Sequence, residues 1–197
     1  MNLSSLDGSN GFRLDGVDTN DYSGLMVSSA GDLNGDGYGD VIIGAKGADP
    51  NGKSSAGTSY VVFGKAAGWA ADMDLSSLDG SNGFRLDGVY SGNSSSQLPV
   101  SSAGDVNGDG YGDVIIGAYH ADPDGKYDAG ESYVVFGKAS GWDASLDLSS
   151  LDGNNGFRLD GVDGGDYSGS WVSNAGDMNG DGYGDIIIGA YRANAIT

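Results

Sequence analysis

The stretch GDLNGDGYGD at residues 31–40 places Asp32, Asn34, Asp36 and Asp40 on one short, glycine-rich loop. It returns as GDVNGDGYGD from Gly104 and as GDMNGDGYGD from Gly176. Counted from Asp32, side-chain oxygens fall at positions 1, 3, 5 and 9. Gly37 at position 6 permits a sharp turn, and Tyr38 at position 7 presents its main-chain carbonyl. This is the front of the oxygen-ligand pattern of an EF-hand calcium loop. Position 12, however, is Ile43 inside an apolar run, and no helical periodicity flanks the loop. The coordination logic is therefore shared, but the motif is not an EF-hand. Turn propensity explains one or two Asp, Asn or Gly residues. It does not explain three copies with the same oxygens, in which only position 2 varies (Leu33, Val106, Met178).

The expected calcium ligands are thus Asp32, Asn34, Asp36, the Tyr38 carbonyl and Asp40 in the first loop. Those of the second are Asp105, Asn107, Asp109, Tyr111 and Asp113, and those of the third Asp177, Asn179, Asp181, Tyr183 and Asp185. Calcium accepts six to eight hard oxygens, whereas magnesium tends to keep its waters, so the pattern suits Ca²⁺ at three ions per chain. Three such ions, two charges each, would bring the formal charge from −19 to −13.

Outward from the loops, the whole chain is periodic. NGFRLDGV begins at Asn10, Asn82 and Asn155, and SYVVFGKA at Ser59 and Ser132, with spacings of 72 or 73 residues. Each period holds four strand-like runs separated by Gly, Asn, Asp and Ser turns: residues 24–31, 40–45, 58–64 and 83–88. The linker KAAGWAADM (65–73) could form a turn of helix. A repeated unit of four short antiparallel strands is the pattern of a β-propeller blade. Pro99 in the first strand of the second copy is consistent with an inner edge strand, since proline cannot donate to a ladder. The expected fold is all-β, an incomplete propeller of two full blades plus partial ones. Its repeats span residues 1–23 (an outer strand), 24–95, 96–167 and 168–197. Propellers close with four to eight blades. Self-association is therefore expected, a dimer giving six blades in which each hybrid lacks its third strand.

Composition narrows the partners. A net charge of −19 disfavours nucleic acid, whose binding depends on Lys and Arg neutralising phosphate, and it disfavours anionic membrane surfaces. There is no cysteine, hence no disulfide framework or thiolate metal site. No apolar run approaches the roughly 20 residues needed to span a bilayer, so membrane insertion is not expected. The first residues show neither the basic nor the apolar region of a secretion signal.

The segment SGLMVSSAGDLNGDGYGDVIIGA (23–45) resembles the FG-GAP repeat of integrin α-subunit β-propellers and their bacterial relatives, and the resemblance extends over nearly the whole chain. The family's Gly-Ala-Pro appears as Gly44-Ala45-Lys46, Gly117-Ala118-Tyr119 and Gly189-Ala190-Tyr191. Its Phe-Gly ahead of the loop is replaced by Ser23-Gly24, Ser96-Gln97 and Ser168-Gly169. The resemblance implies a calcium loop between the first and second strands of each blade. It also implies a non-catalytic adhesion or interaction module, extracellular or on a bacterial surface, with a protein or glycan ligand. Alternatives are a lectin using Trp69 and Trp142, an accessory domain of a larger enzyme, and an engineered or fragment propeller that closes by oligomerisation.

Other residues carry bland expectations. His120, the only histidine, reads as a solvated loop residue, because a catalytic imidazole needs an orienting partner and a nucleophile or substrate. Arg13, Arg85 and Arg158 recur beside Asp15, Asp87 and Asp160 and are expected to pair between blades. Trp69, Trp142, Tyr22 and Tyr167 read as packing residues. The segment YSGNSSSQLP (90–99), one residue longer than its siblings, is a place where recognition could reside.

Overall fold

The computed structural model describes residues 2–92 and 98–194. Its strands are β1 (Arg13–Asp15), β2 (Ser23–Gly31), β3 (Asp40–Ala45), β4 (Thr58–Val62), β5 (Asp72–Asp74), β6 (Gly83–Asp87), β7 (Val100–Gly104), β8 (Asp113–Ala118), β9 (Glu131–Val135), β10 (Ser145–Asp147), β11 (Gly156–Asp160), β12 (Ser168–Gly176) and β13 (Asp185–Ala190). No α-helix occurs among the described residues, only single 3₁₀ turns. Two antiparallel four-stranded blades follow one another, β2-β3-β4-β6 and β7-β8-β9-β11. The hairpin β12-β13 is the inner half of a third. β1 stands where the outer strand of a preceding blade would stand, so the architecture is a partial propeller.

The alternation along each strand decides which blade a residue faces. Ile42, Val61, Phe84 and Leu86 of the first blade pack with Val100, Val114, Ile116, Tyr133 and Val135 of the second. The other face of the second blade sends Ala103, Ile115 and Val134 against Val172, Ile186 and Ile188 of the half-blade. The outer face of the first blade, Ile43, Tyr60 and Val62, is covered in part by Leu14 of β1 and by Met73, Trp69, Leu75 and Leu78. β4 and β9 are buried throughout, as expected of strands flanked on both sides within a sheet that is itself sandwiched between blades.

The linker 65–73 corrects one expectation. It forms no helix; its end becomes β5, which pairs in parallel with β1 (Arg13 opposite Asp72), and the equivalent β10 pairs in parallel with β6 of the preceding blade. Each linker thus covers the outer edge of the blade before it, a common way to protect an exposed ladder. Trp69 and Trp142, as expected, are packing anchors of this clasp. They stack on Phe12 and Phe84, the outer-strand phenylalanines of the preceding blade, at 4.0 and 4.2 Å. Pro99 lies just ahead of β7, and its carbonyl accepts from the Gly117 N–H at 2.9 Å. Residues 93–97, within the long segment 90–99, lie outside the described residues.

The Arg–Asp pairs are a second correction. Arg85 and Arg158 contact Asp87 and Asp160 at 2.6 Å, and Arg13 contacts Asp15, so each pair lies within one strand and not between blades. Residues two apart on a strand share a face, which brings the two side chains together. Nearby, β9 opens on the buried Glu131, a residue without a counterpart in the first blade, where Thr58 stands. Its carboxylate accepts from the Tyr133 and Tyr90 hydroxyls and faces Arg158 and Asp160. Burial raises its pKa above the ordinary value, the hydroxyls and Arg158 opposing. A raised carboxyl pKa favours the protonated folded state, so this group's contribution is greatest at acidic pH and is lost as pH rises through the raised value. Glu131→Gln is expected to cost about 0.5–1.5 kcal/mol at pH 4, from weakened hydrogen bonds. That deficit should shrink or reverse by pH 7. Parallel denaturant titrations of the two proteins across this range would reveal a pH-independent difference if the reasoning fails.

Candidate functional site

Each acidic loop joins the first strand of a blade to the second, and its entry is shaped by a register shift. The ladder slips between Ser29 and Gly31, between Ser102 and Gly104, and between Asn174 and Gly176. The glycine at each shift has positive φ (84°, 79° and 74°), a conformation that a side chain disfavours. The glycine at position 6, Gly37, Gly110 or Gly182, is likewise left-handed, with φ near 90° (87°, 90° and 90°). The chain therefore folds back on itself over positions 4 to 7, and the oxygens of positions 1, 3 and 5 gather around the turn.

Main-chain N–H groups hold those oxygens in place. In the first loop Asp36 and Gly37 donate to the two oxygens of Asp32 at 3.1 and 2.9 Å. Asp36 also donates to Asn34 Oδ1 at 3.1 Å, and Tyr38 to Asp36 Oδ1 at 2.8 Å. The second and third loops repeat this pattern with Asp105, Asn107 and Asp109, and with Asp177, Asn179 and Asp181. Three of the expected ligand side chains in every loop are thus brought together.

Position 9 is set apart. Asp40 opens β3, is buried, and accepts from Leu33 N–H at 2.7 Å and from Gly64 N–H, beyond β4, at 2.8 Å. Asp113 does the same with Val106 and Gly137 at 2.8 and 2.9 Å. Burial pushes both carboxyls up to about 6, although the two N–H groups oppose the shift. Asp185 keeps the short bond from Met178, at 2.7 Å, without a third strand beside it. Position 9 therefore braces the loop against its own blade, a role that alternate spacing could not disclose.

The chemistry of the donor set bears on which cation it suits. Among the described residues no three acidic or imidazole side chains form a ready-made ligand cluster. Each loop instead offers carboxylate oxygens, an asparagine carbonyl and the carbonyl at position 7. An oxygen engaged by a single N–H keeps a second lone pair, whereas Asp105 Oδ1 and Asp177 Oδ1 each accept from two N–H groups and leave Oδ2 as the freer oxygen. All these donors are hard oxygens on a preformed turn, a set that fits a calcium-type ion. The ion pairs Arg13–Asp15, Arg85–Asp87, Arg158–Asp160 and Lys53–Asp147 lie on outer strands and linkers, away from the loops.

The loops are also joints between blades. Gly112 N–H donates to the Asp32 carbonyl at 2.8 Å, Gly184 to the Asp105 carbonyl at 2.6 Å, and Lys138 to the Leu33 carbonyl at 2.9 Å. The ring of Tyr111 lies on Gly35, and that of Tyr183 on Gly108, where a Cβ would have no room. The tyrosine at position 7, expected to matter only through its carbonyl, thus clamps the preceding loop with its ring. The tight repetition of Gly at position 4 is the sequence signal that could have disclosed it.

His120 corrects another expectation. It is not simply solvated: Nδ1 lies 2.7 Å from Asp128 Oδ1, and the ring sits between Tyr119 and Tyr167. Tyr167 donates to Asp128 at 3.1 Å and stacks on Tyr191, so it packs as expected. Tyr22 is mostly exposed, with Lys46 over its ring.

Comparison with known proteins agrees with this architecture. The FG-GAP repeat matches residues 26–62, 100–135 and 168–197. The chain is similar to integrin alpha-PS2 of Drosophila melanogaster, 28% identical over 94% of this chain and 12% of that protein. It is also similar to phosphatidylinositol-glycan-specific phospholipase D, 29% identical for Bos taurus and 31% for Homo sapiens, over 85% of this chain and 18% of each relative. The chain therefore spans less than a fifth of the length of these relatives. No helix among the described residues is long and apolar enough to cross a membrane. With three matched repeats falling on its two blades and its half-blade, the chain belongs to the FG-GAP repeat family.

Proposed function

We propose that the chain is a calcium-binding propeller module of an extracellular or cell-surface adhesion or interaction protein, with the metal structural and no chemistry performed within these residues. The observation that carries this reading is the oxygen loop present in three copies, the first two of which are tied to the next blade through the carbonyl at position 1. Calcium would be held by Asp32, Asn34, Asp36, the Tyr38 carbonyl and Asp40, and by the matching residues of the other loops. When bound it supplies charge neutralisation and rigidity. The residues themselves orient the loop and, through it, the adjacent blade. The integrin-like resemblance supports the adhesion setting.

Isothermal titration of chelator-stripped protein with Ca²⁺ is expected to give three ions per chain, and Asp109→Ala two. Absence of binding, or a stoichiometry that Asp109→Ala leaves unchanged, would refute the reading. A second reading, an accessory domain of a larger enzyme, is favoured by the similarity to relatives named as phospholipases. A sugar platform on the tryptophans is not favoured. Trp69 carries Phe12 at 4.0 Å and Lys65 at 4.6 Å, and Trp142 carries Phe84 at 4.2 Å and Lys138 at 4.8 Å, so both ring faces are occupied.

A further inference from the structure

Two exposed apolar surfaces of this chain are the separate halves of a contact that its blades already make twice. Within the chain, the leading face of one blade meets the trailing face of the next. Ile42 and Ile115, at the same repeat position on the leading faces, are both 0% exposed, whereas their third counterpart Ile187 is 59% exposed. On the trailing faces Val100 and Val172 are 8% and 9% exposed, whereas Val27 is 65% exposed. Met178, the counterpart of the buried Leu33, is exposed beside Ile187. Around Val27 runs a groove of about 620 Å³, lined by Phe12, Leu14, Val41 and Ile43 among others.

The occupant of that groove can be read from the internal contacts. Leu14 already sits in it as Leu86 sits against the second blade, so the outer strand of the missing neighbour is in place. What remains to be covered is the seat of that neighbour's inner strands, and β12-β13 is an inner hairpin of the same repeat. The polar register matches as well. Gly39 and Lys65 stand where Gly112 and Lys138 stand in the second blade, and those two donate to the carbonyls of Asp32 and Leu33. The corresponding carbonyls on the half-blade belong to Asp177 and Met178. Tyr38 corresponds to the clamping Tyr111 and Tyr183, and Gly180, its expected seat, has open space beside it.

We propose that a second copy of this chain seats its β12-β13 face in the groove, so that β12 and β13 of one copy and β1 of the other share one composite blade. The same contact made in return closes a ring of six blades: two complete blades from each chain and two composites. Each composite has strands one, two and four, which leaves the outer edge of β13 open. Each contact joins unlike surfaces, groove and hairpin at opposite ends of the chain, and a two-fold axis makes it twice, which closes the ring. Apolar burial drives it against the mutual repulsion of two chains of net charge −19, so added salt strengthens it by screening.

Sedimentation equilibrium in calcium-containing buffer tests the proposal. The wild-type chain is expected at twice its 19.9 kDa mass, with more dimer at higher salt. Val27→Asp and Ile187→Asp each place an unpaired charge in the contact and are expected to weaken association on the order of 100-fold. Both residues are exposed in the single chain, so the variants should keep the wild-type circular dichroism spectrum. A monomeric wild type, or a variant as dimeric as the wild type, would overturn the inference.

Discussion

Phe84→Ala is expected to lower the unfolding free energy by about 3–5 kcal/mol, the cost of emptying a large, closed core site. Phe84 is fully buried in β6 at the seam between the two complete blades. Its ring stacks on Trp142 at 4.2 Å and meets Phe63 at 5.8 Å. Truncation therefore opens a cavity and also removes the surface against which the linker of the second blade is clasped. Phe12→Ala is the control. In the single chain, obtained with Ile187→Asp in both variants, Phe12 makes the same stack on Trp69 but borders the open groove, where water can fill the space. Its cost should be nearer ~1 kcal/mol, a transfer loss without a closed cavity. Guanidinium unfolding of the two variants would reveal the contrast, and equal losses would mean that the seam is not a closed core.

Chelation of calcium is expected to have the next largest effect. Weak extracellular calcium sites have dissociation constants of ~10⁻⁴–10⁻³ M. At millimolar calcium each would stabilise the folded chain by about 0.4–1.4 kcal/mol by linkage. Three sites together give roughly 1–4 kcal/mol, a large part of the 5–15 kcal/mol typical of a domain. For a chain of this size the melting temperature should fall by about 2–16 °C in excess EDTA and recover with calcium. The loss should reach beyond the loops, because the carbonyls of Asp32 and Asp105 hold Gly112 and Gly184 of the neighbouring blades. Thermal unfolding indifferent to EDTA would reduce the loops to turns and remove the basis for the proposed function.

Much of this organisation was legible in the chain before any fold was seen. The run DVIIGA at 40–45 matches β3 residue for residue, because a β-branched run bounded by turn residues is a strand on local grounds alone. The loops were legible for the same reason: their turn is made by glycines and their donors are the next few N–H groups. β5 and β10 were not. Three residues such as Asp72–Asp74 carry no alternation of their own, and are strands only because β1 offers an edge. Nor could spacing show that Asp40 grips Gly64, 24 residues away, or that His120 meets Asp128 across a loop.

The sequence by itself determined the repeat, the four strands of each blade and the oxygen-bearing loops, all of which depend on contacts within a few residues or on adjacent strands. Only the tertiary structure decided what those strands are to one another. Ile42, Ile115 and Ile187 occupy the same local sequence, yet the first two are buried and the third is exposed. Burial is a property of the neighbouring blade, and a blade that can be recognised from its own residues does not say what stands beside it.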